Sequence, residues 1–155
     1  MATIALIEDE ALLRELFEQR LQKAGHIVQT ATNGKEGWQL IQDQRPDLVL
    51  LDLLMPLMSG YDVLTAMRAN KEFKATPVLV ISNSGQINDL NRAYECGADD
   101  VLIKADFNPD QLLHKVEELL ARQAKDTDPR LRSMVPKDVV ESVVTTEPEA
   151  ADPEV

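Results

Sequence analysis

The sequence predicts an α/β fold in which a doubly wound, five-stranded parallel sheet, in the order 2-1-3-4-5, is covered by helices on both faces. Three observations carry this. Short apolar runs alternate with helical periodicities five times along the chain. The third and fourth runs are apolar almost throughout, as strands buried on both faces must be. The second, with Gln29 and Thr30, is more polar and suits an edge.

The elements follow in order. "TIALIE" at 3–8 reads as the first strand. Leu13, Leu16, Phe17, Leu21 and Ala24 then recur at intervals of three and four, the buried stripe of a first helix, which Gly25 should stop. "HIVQTA" at 26–31 is the second strand, and Gly37, Leu40 and Ile41 mark the second helix. "DLVLLD" at 47–52 is the third strand, followed by a helix on Val63, Leu64 and Met67. "PVLVIS" at 77–82 is the fourth strand, followed by a helix on Ile87, Leu90, Ala93 and Tyr94 that Gly97 should end. "DVLI" at 100–103 is the fifth strand. Asn108 as N-cap and Pro109 at the first helical position open the last helix, with Leu112, Leu113, Val116, Leu119 and Leu120 on its buried side. Phe107 is expected to anchor packing, and Trp38 and Tyr94 to be partly buried.

The chain of 155 residues suggests one globular domain, placed at residues 1–123. All six glycines lie at or before Gly97, whereas Pro129, Pro136, Pro148 and Pro153 crowd the end. Residues 124–155 are expected to be a flexible acidic tail, because "TTEPEAADPEV" has no apolar period to offset its ordering entropy. "PKDVVESVV" at 136–144 is the one stretch there that suits a short strand or docking segment. The formal net charge of −11 argues against nucleic acid and against an anionic membrane surface. The single cysteine, Cys96, allows no internal disulfide. With no basic leader and no long apolar run, the expectation is a cytoplasmic protein.

In this topology ligands bind at the carboxyl ends of the strands, near the switch point between strands one and three. Glu8 and Asp9 end the first strand, Asp52 the third, Ser82 the fourth and Lys104 the fifth. Each alone has an ordinary explanation: Glu8, Asp9 and Glu10 as helix cap and first-turn charges, Asp52 bonded to its turn, Ser82 a plain strand-end hydroxyl, Lys104 solvated. Together they form a site. Clustered carboxylates repel, and a hard divalent cation resolves the repulsion; oxygen donors suit Mg²⁺. His26 and His114 lie apart and suggest no zinc site. A metal beside a carboxylate nucleophile and a lysine suits uptake of a phosphoryl group as an aspartyl phosphate.

These residues resemble the receiver domain of bacterial two-component response regulators, of the single-domain, chemotaxis type. The matches are "LIEDE", "LLDLLMPLMSG", "VLVIS" and "GADDVLIK", over about residues 2–122. The resemblance implies a flavodoxin-like fold, with Asp52 as phosphate acceptor and Asp9 as direct metal ligand. It makes Glu8 a water-linked helper, the backbone carbonyl of Leu54 a third ligand, Ser82 a hydroxyl on the phosphoryl oxygen, and Lys104 its cation. It implies a sensor histidine kinase or phosphotransfer protein facing the first helix, and a downstream protein target met through the fourth helix, fifth strand and fifth helix. The chain would be a monomer or a phosphorylation-dependent homodimer, and no enzyme beyond its own phosphorylation and slow dephosphorylation. Three positions depart from the family: Val101 replaces its switch aromatic, Ala105 replaces a proline and predicts a trans 104–105 peptide, and Asn83 stands where a small residue is usual. Two other readings use the same residues. One is a binding module of this fold that needs no phosphorylation. The other is a small hydrolase, disfavoured because Leu54 occupies the place of that class's second acid and cannot move a proton.

Overall fold

Period-two alternation within the apolar runs makes both faces of the sheet. Ile4 and Leu6, Leu48 and Leu50, and Leu79 and Ile81 point to one side; Ala5 and Ile7, Val49 and Leu51, and Val78 and Val80 point to the other. A computed structural model describes residues 1–83 and 85–127, the side chains from 124 onward excepted. The elements are β1 (Thr3–Ile7), α1 (Ala11–Lys23), β2 (Ile27–Ala31), α2 (Gly34–Gln44), β3 (Leu48–Asp52), α3 (Gly60–Ala69), β4 (Val78–Ser82), α4 (Ile87–Glu95), β5 (Asp100–Ile103) and α5 (Pro109–Thr127). The sheet runs β2-β1-β3-β4-β5, all pairs parallel, as the sequence predicts. Phe17 and Leu21 of α1 and Leu112, Val116 and Leu119 of α5 cover the first face. Ile41 of α2, Val63, Leu64 and Met67 of α3 and Ala93 of α4 cover the second.

The helix signals hold in detail. Gly25 and Gly97 follow α1 and α4 with φ of 98° and 114°, a region only glycine enters at little cost. Asn108 caps α5: its side chain accepts from the Gln111 N–H at 2.9 Å while Gln111 accepts from the Asn108 N–H at 2.8 Å. Phe107 stacks on Phe17, and Trp38 meets Phe73 edge-on, both with centroids 5.8 Å apart. The 104–105 peptide is trans.

The predicted stripes were too wide in two places. On α1 the buried stripe is Phe17 and Leu21, with Leu13 packed partly behind them; Leu16 is 43% exposed, and Ala24 lies beyond the helix, at its C-cap. Leu16 sits beside Leu12 one turn away, on the flank that the sheet does not reach. On α4 only Ala93 is fully buried: Ile87 and Tyr94 are exposed, Tyr94 donating its hydroxyl to Asp100 Oδ1 at 3.2 Å. The strands also stop one residue short of Glu8 and of Lys104. Among the described residues no helix is long and apolar enough to cross a membrane. Residues 128–155, which include the segment 136–144 and most of the expected tail, lie outside the described residues; α5 itself runs to Thr127.

Candidate functional site

Parallel register delivers the candidate residues to one edge of the sheet. Asp52 is the last residue of β3 and pairs with Ile81; Ser82 ends β4 and pairs with Ile103; Lys104 follows at once in a single 3-10 turn. Glu8 follows β1, its N–H bonded to the Ala31 carbonyl at 3.1 Å. The turn after β3 is held tight by the Gly60 N–H on the Leu53 carbonyl at 2.7 Å. A Cβ at Gly60 would collide with the Asp52 carbonyl, so only glycine lets α3 begin this close to the acid. A capping box between Ser59 and Asp62 fixes that start.

The side chains converge. Lys104 Nζ lies 3.4 Å from Asp52 Oδ2, 3.1 Å from Glu8 Oε2 and 2.9 Å from Glu10 Oε2, and its side chain is only 6% exposed. Glu8 and Asp52 are buried, Asp9 is exposed, and one oxygen of each lies within 4.8 Å of the others. Three carboxylates thus share one ammonium, with Asp9 beside two of them. Burial first, and then the Glu8 carboxylate, push Asp52 up to about 7 despite Lys104. Burial likewise raises Glu8, against its bonds to the Glu10 N–H and Lys104. Burial works against the Lys104 ammonium, but its partners, Glu10 and Asp52 foremost, outweigh it and hold it above its ordinary range.

This imbalance tests the fit of a cation. Glu8 Oε1 is buried with no hydrogen-bond partner, a costly state unless something supplies positive charge or a donor. The donors are all oxygen, and among the described residues no histidine or cysteine joins them. The set fits a hard divalent ion, which Glu8, Asp9 and Asp52 could hold.

Ser82 is buried and lines a cleft of about 160 Å³ with Leu53, Leu54, Tyr61, Asp89 and Arg92. Leu54 lies in the turn just past β3, its side chain exposed. The ordinary readings fail for Glu8, which is buried instead of capping α1, and for Lys104, which is not solvated. Asn83 is exposed, and Val101 packs partly against the α2–α4 core. His26 is structural, its Nδ1 accepting from the Ala2 N–H at 3.1 Å, and His114 is exposed. Two residues outside the predicted site set contact the site. Glu10 was read only as a cap or first-turn charge, yet it makes no side-chain cap bond and instead holds Lys104. Arg14 ties the loop down, donating to the Glu8 carbonyl at 2.9 Å and the Asp9 carbonyl at 3.4 Å. A third acid in "EDE", followed four residues later by a base, was the available signal.

A doubly wound parallel sheet carrying acids and a buried lysine at its carboxyl edge defines an α/β domain with a site suited to a cation. The chain belongs to the response regulator receiver domain family of two-component systems, whose family model matches residues 4–117. It is similar to the DNA-binding dual master transcriptional regulator RpaA of Synechocystis sp., 35% identical over 122 residues, 79% of this chain and 50% of that protein. It is also similar to the response regulator Rre1 of the same organism, 35% identical over 127 residues, 81% of this chain and 54% of that one. Among solved structures, the chemotaxis protein CheY4 of Vibrio cholerae superposes with a TM-score of 0.72 at 30% identity, covering 77% of this chain and 98% of that one. The chain spans about half the length of the curated relatives it matches.

Proposed function

We propose that the chain accepts a phosphoryl group on Asp52 from a phosphohistidine of a partner kinase or phosphotransfer protein, in a magnesium-dependent reaction, and signals through protein contacts. The observation that carries this is the placing of Lys104 Nζ within 3.4 Å of Asp52 Oδ2 at the mouth of the acid cluster. In the transfer, an Asp52 carboxylate oxygen bonds to phosphorus as the phosphorus–nitrogen bond breaks, and the imidazole leaves with the electron pair and takes up a proton. Asp9, Asp52 and the Leu54 carbonyl, with Glu8 through a water, would hold magnesium, which when bound would supply positive charge beside the phosphoryl oxygens. Lys104 donates to one phosphoryl oxygen and Ser82 to another. Moving a two-state equilibrium from 1:99 to 99:1 takes about 5.5 kcal/mol. Two or three charge-assisted hydrogen bonds at about 1.5–3 kcal/mol each are of that size. Val101 stands where the family's switch aromatic would, so that rotamer switch is missing or replaced in this chain.

On this reading the chain is no enzyme beyond its own phosphorylation and slow dephosphorylation. Its kinase meets α1, where Leu12 and Leu16 lie exposed beside the site. Its target is a protein met at α4, β5 and α5, as a monomer or as a phosphorylation-dependent homodimer. The relatives' DNA-binding role is said of those longer proteins; the acidic charge of this chain, −11, supports an output without nucleic acid. The test is intact mass after treatment with a small phosphodonor and Mg²⁺. A stable gain of one phosphate, absent in Asp52→Asn, is expected. No gain favours the phosphorylation-independent module, and continuous release of phosphate favours the hydrolase.

A further inference from the structure

The Lys104 ammonium has three N–H donors, and three carboxylates take them: Glu8, Glu10 and Asp52. A phosphoryl group on Asp52 needs one of those donors. Which partner gives way follows from their surroundings. Asp52 stays beside the phosphoryl group because it carries it. Glu8 is fully buried, with its Oε2 also accepting from the Glu10 N–H at 3.0 Å, so it cannot swing away. The Glu10 side chain is 51% exposed and makes the shortest of the three contacts, at 2.9 Å. It holds no cap on α1, so nothing else retains it there. Its carboxylate occupies a place on the ammonium that a phosphoryl oxygen would take, with the same sign of charge.

We propose that Glu10 is a positioning residue that acts as a competing anion: it clasps Lys104 in the resting chain and must release it before the ammonium can pair with an incoming phosphoryl group. The competition opposes both arrival of an anionic donor and retention of the product, and it deepens the phosphoryl-acceptor reading on which it rests. No proton moves in the exchange; Lys104 transfers one N–H donor from a glutamate oxygen to a phosphoryl oxygen, and Glu10 turns to solvent, which its exposure allows. The sign of the effect separates this role from metal binding. An acid that helps hold magnesium slows phosphorylation when neutralised, whereas a competitor speeds it.

The test uses the full chain as wild type, Glu10→Gln, Glu10→Ala and Asp52→Asn, each checked by thermal unfolding. Phosphorylation by acetyl phosphate with Mg²⁺ is followed by intact mass. Both Glu10 variants are expected to react about three- to tenfold faster at low ionic strength, the size of effect one charge exerts across a few ångströms of partly aqueous medium. The gain should shrink in about 1 M salt, where screening acts over about 3 Å. Separately, in chelator and without phosphodonor, labelling of Lys104 by an amine-reactive reagent, read by peptide mass, should quicken severalfold in both variants, a change that a merely structural role would not produce. Magnesium affinity by calorimetry should weaken only by the loss of one nearby charge, about tenfold or less at low ionic strength, and the difference should shrink in about 1 M salt. Unchanged phosphorylation and labelling overturn the inference, and so does slower phosphorylation with weakened magnesium binding, which would make Glu10 part of the ion's coordination. A wild type that takes no phosphate overturns the functional reading and this one with it; a wild type that does, with both variants no faster, overturns this one alone.

Discussion

At the residue scale the site trades stability for charge. Glu8 is fully buried and Asp52 nearly so, and with Glu10 they share one ammonium, while Asp9 stands beside the two buried acids. Glu8→Gln keeps an oxygen to accept from Lys104 and from the Glu10 N–H while deleting one buried like charge. In chelator it should raise the free energy of unfolding by about 1–2 kcal/mol, because neutral isosteres of crowded buried charges avoid their desolvation cost. In magnesium the advantage should vanish or reverse, since the variant loses a donor behind the ion. Urea unfolding in the two conditions reads both signs, and equal shifts in both would sink the account. The places of Asp52 and Ser82 at the carboxyl edge, with Glu8, Asp9 and Lys104 one or two residues past their strands, were legible in the sequence because strand ends in a parallel sheet fix where the chain emerges, whatever the rotamers. The part played by Glu10 could not be found this way: it meets Lys104 across 94 residues of chain, and only side-chain geometry shows which of three consecutive acids reaches the ammonium.

At the element scale the strands and caps were legible and the helix flanks were not. Period-two alternation, the Asn108–Pro109 start and the glycines at 25 and 97 each impose a local geometry that the structure keeps. Burial on α1 and α4 depends on how far the sheet extends beneath them, so Leu16 and Ile87 obey the helical period yet face solvent. Gly97→Ala should cost about 1–3 kcal/mol, since a side chain at φ 114° is strained and its Cβ would press on the Arg68 side chain. A lowered urea midpoint with unchanged slope is the expected reading. The start of β5 and the middle of α5 are joined by an ion pair, Lys115 Nζ to Asp100 Oδ2 at 2.9 Å. Burial pushes the Asp100 carboxyl up, but the Lys115 ammonium, the Val101 N–H and the Tyr94 hydroxyl outweigh it and hold it below its ordinary 3.8. The folded chain therefore releases this proton more readily than the unfolded one. The stability that Asp100 contributes is complete above its unfolded value and is lost as pH falls through the folded one. Asp100→Asn should thus lower the urea midpoint at pH 6 and converge on wild type as pH falls through the folded value, which lies below 3.8.

At the scale of the whole molecule, a net charge of −11 means that any cation stabilises the chain to some degree by screening self-repulsion, so a rise in melting temperature with magnesium does not by itself mark a site. Two effects must be separated. Screening depends on ionic strength, acts on the entire surface and saturates slowly, with a range of about 8 Å at physiological salt. Binding at the acid cluster follows mass action: about 2.7 kcal/mol at a free concentration a hundred times the dissociation constant, on top of whatever salt contributes. The two part company when ionic strength is held constant with sodium chloride while magnesium is varied. Wild type should then gain several degrees with a logarithmic dependence on free magnesium, and chelator should remove the gain. Asp9→Asn removes an exposed donor and one charge from the cluster, so it should respond equally to sodium chloride and hardly at all to magnesium. If Asp9→Asn gains as much from magnesium as wild type does, the ion is acting on the general surface charge, and the acids at the carboxyl edge of the sheet hold no cation of their own.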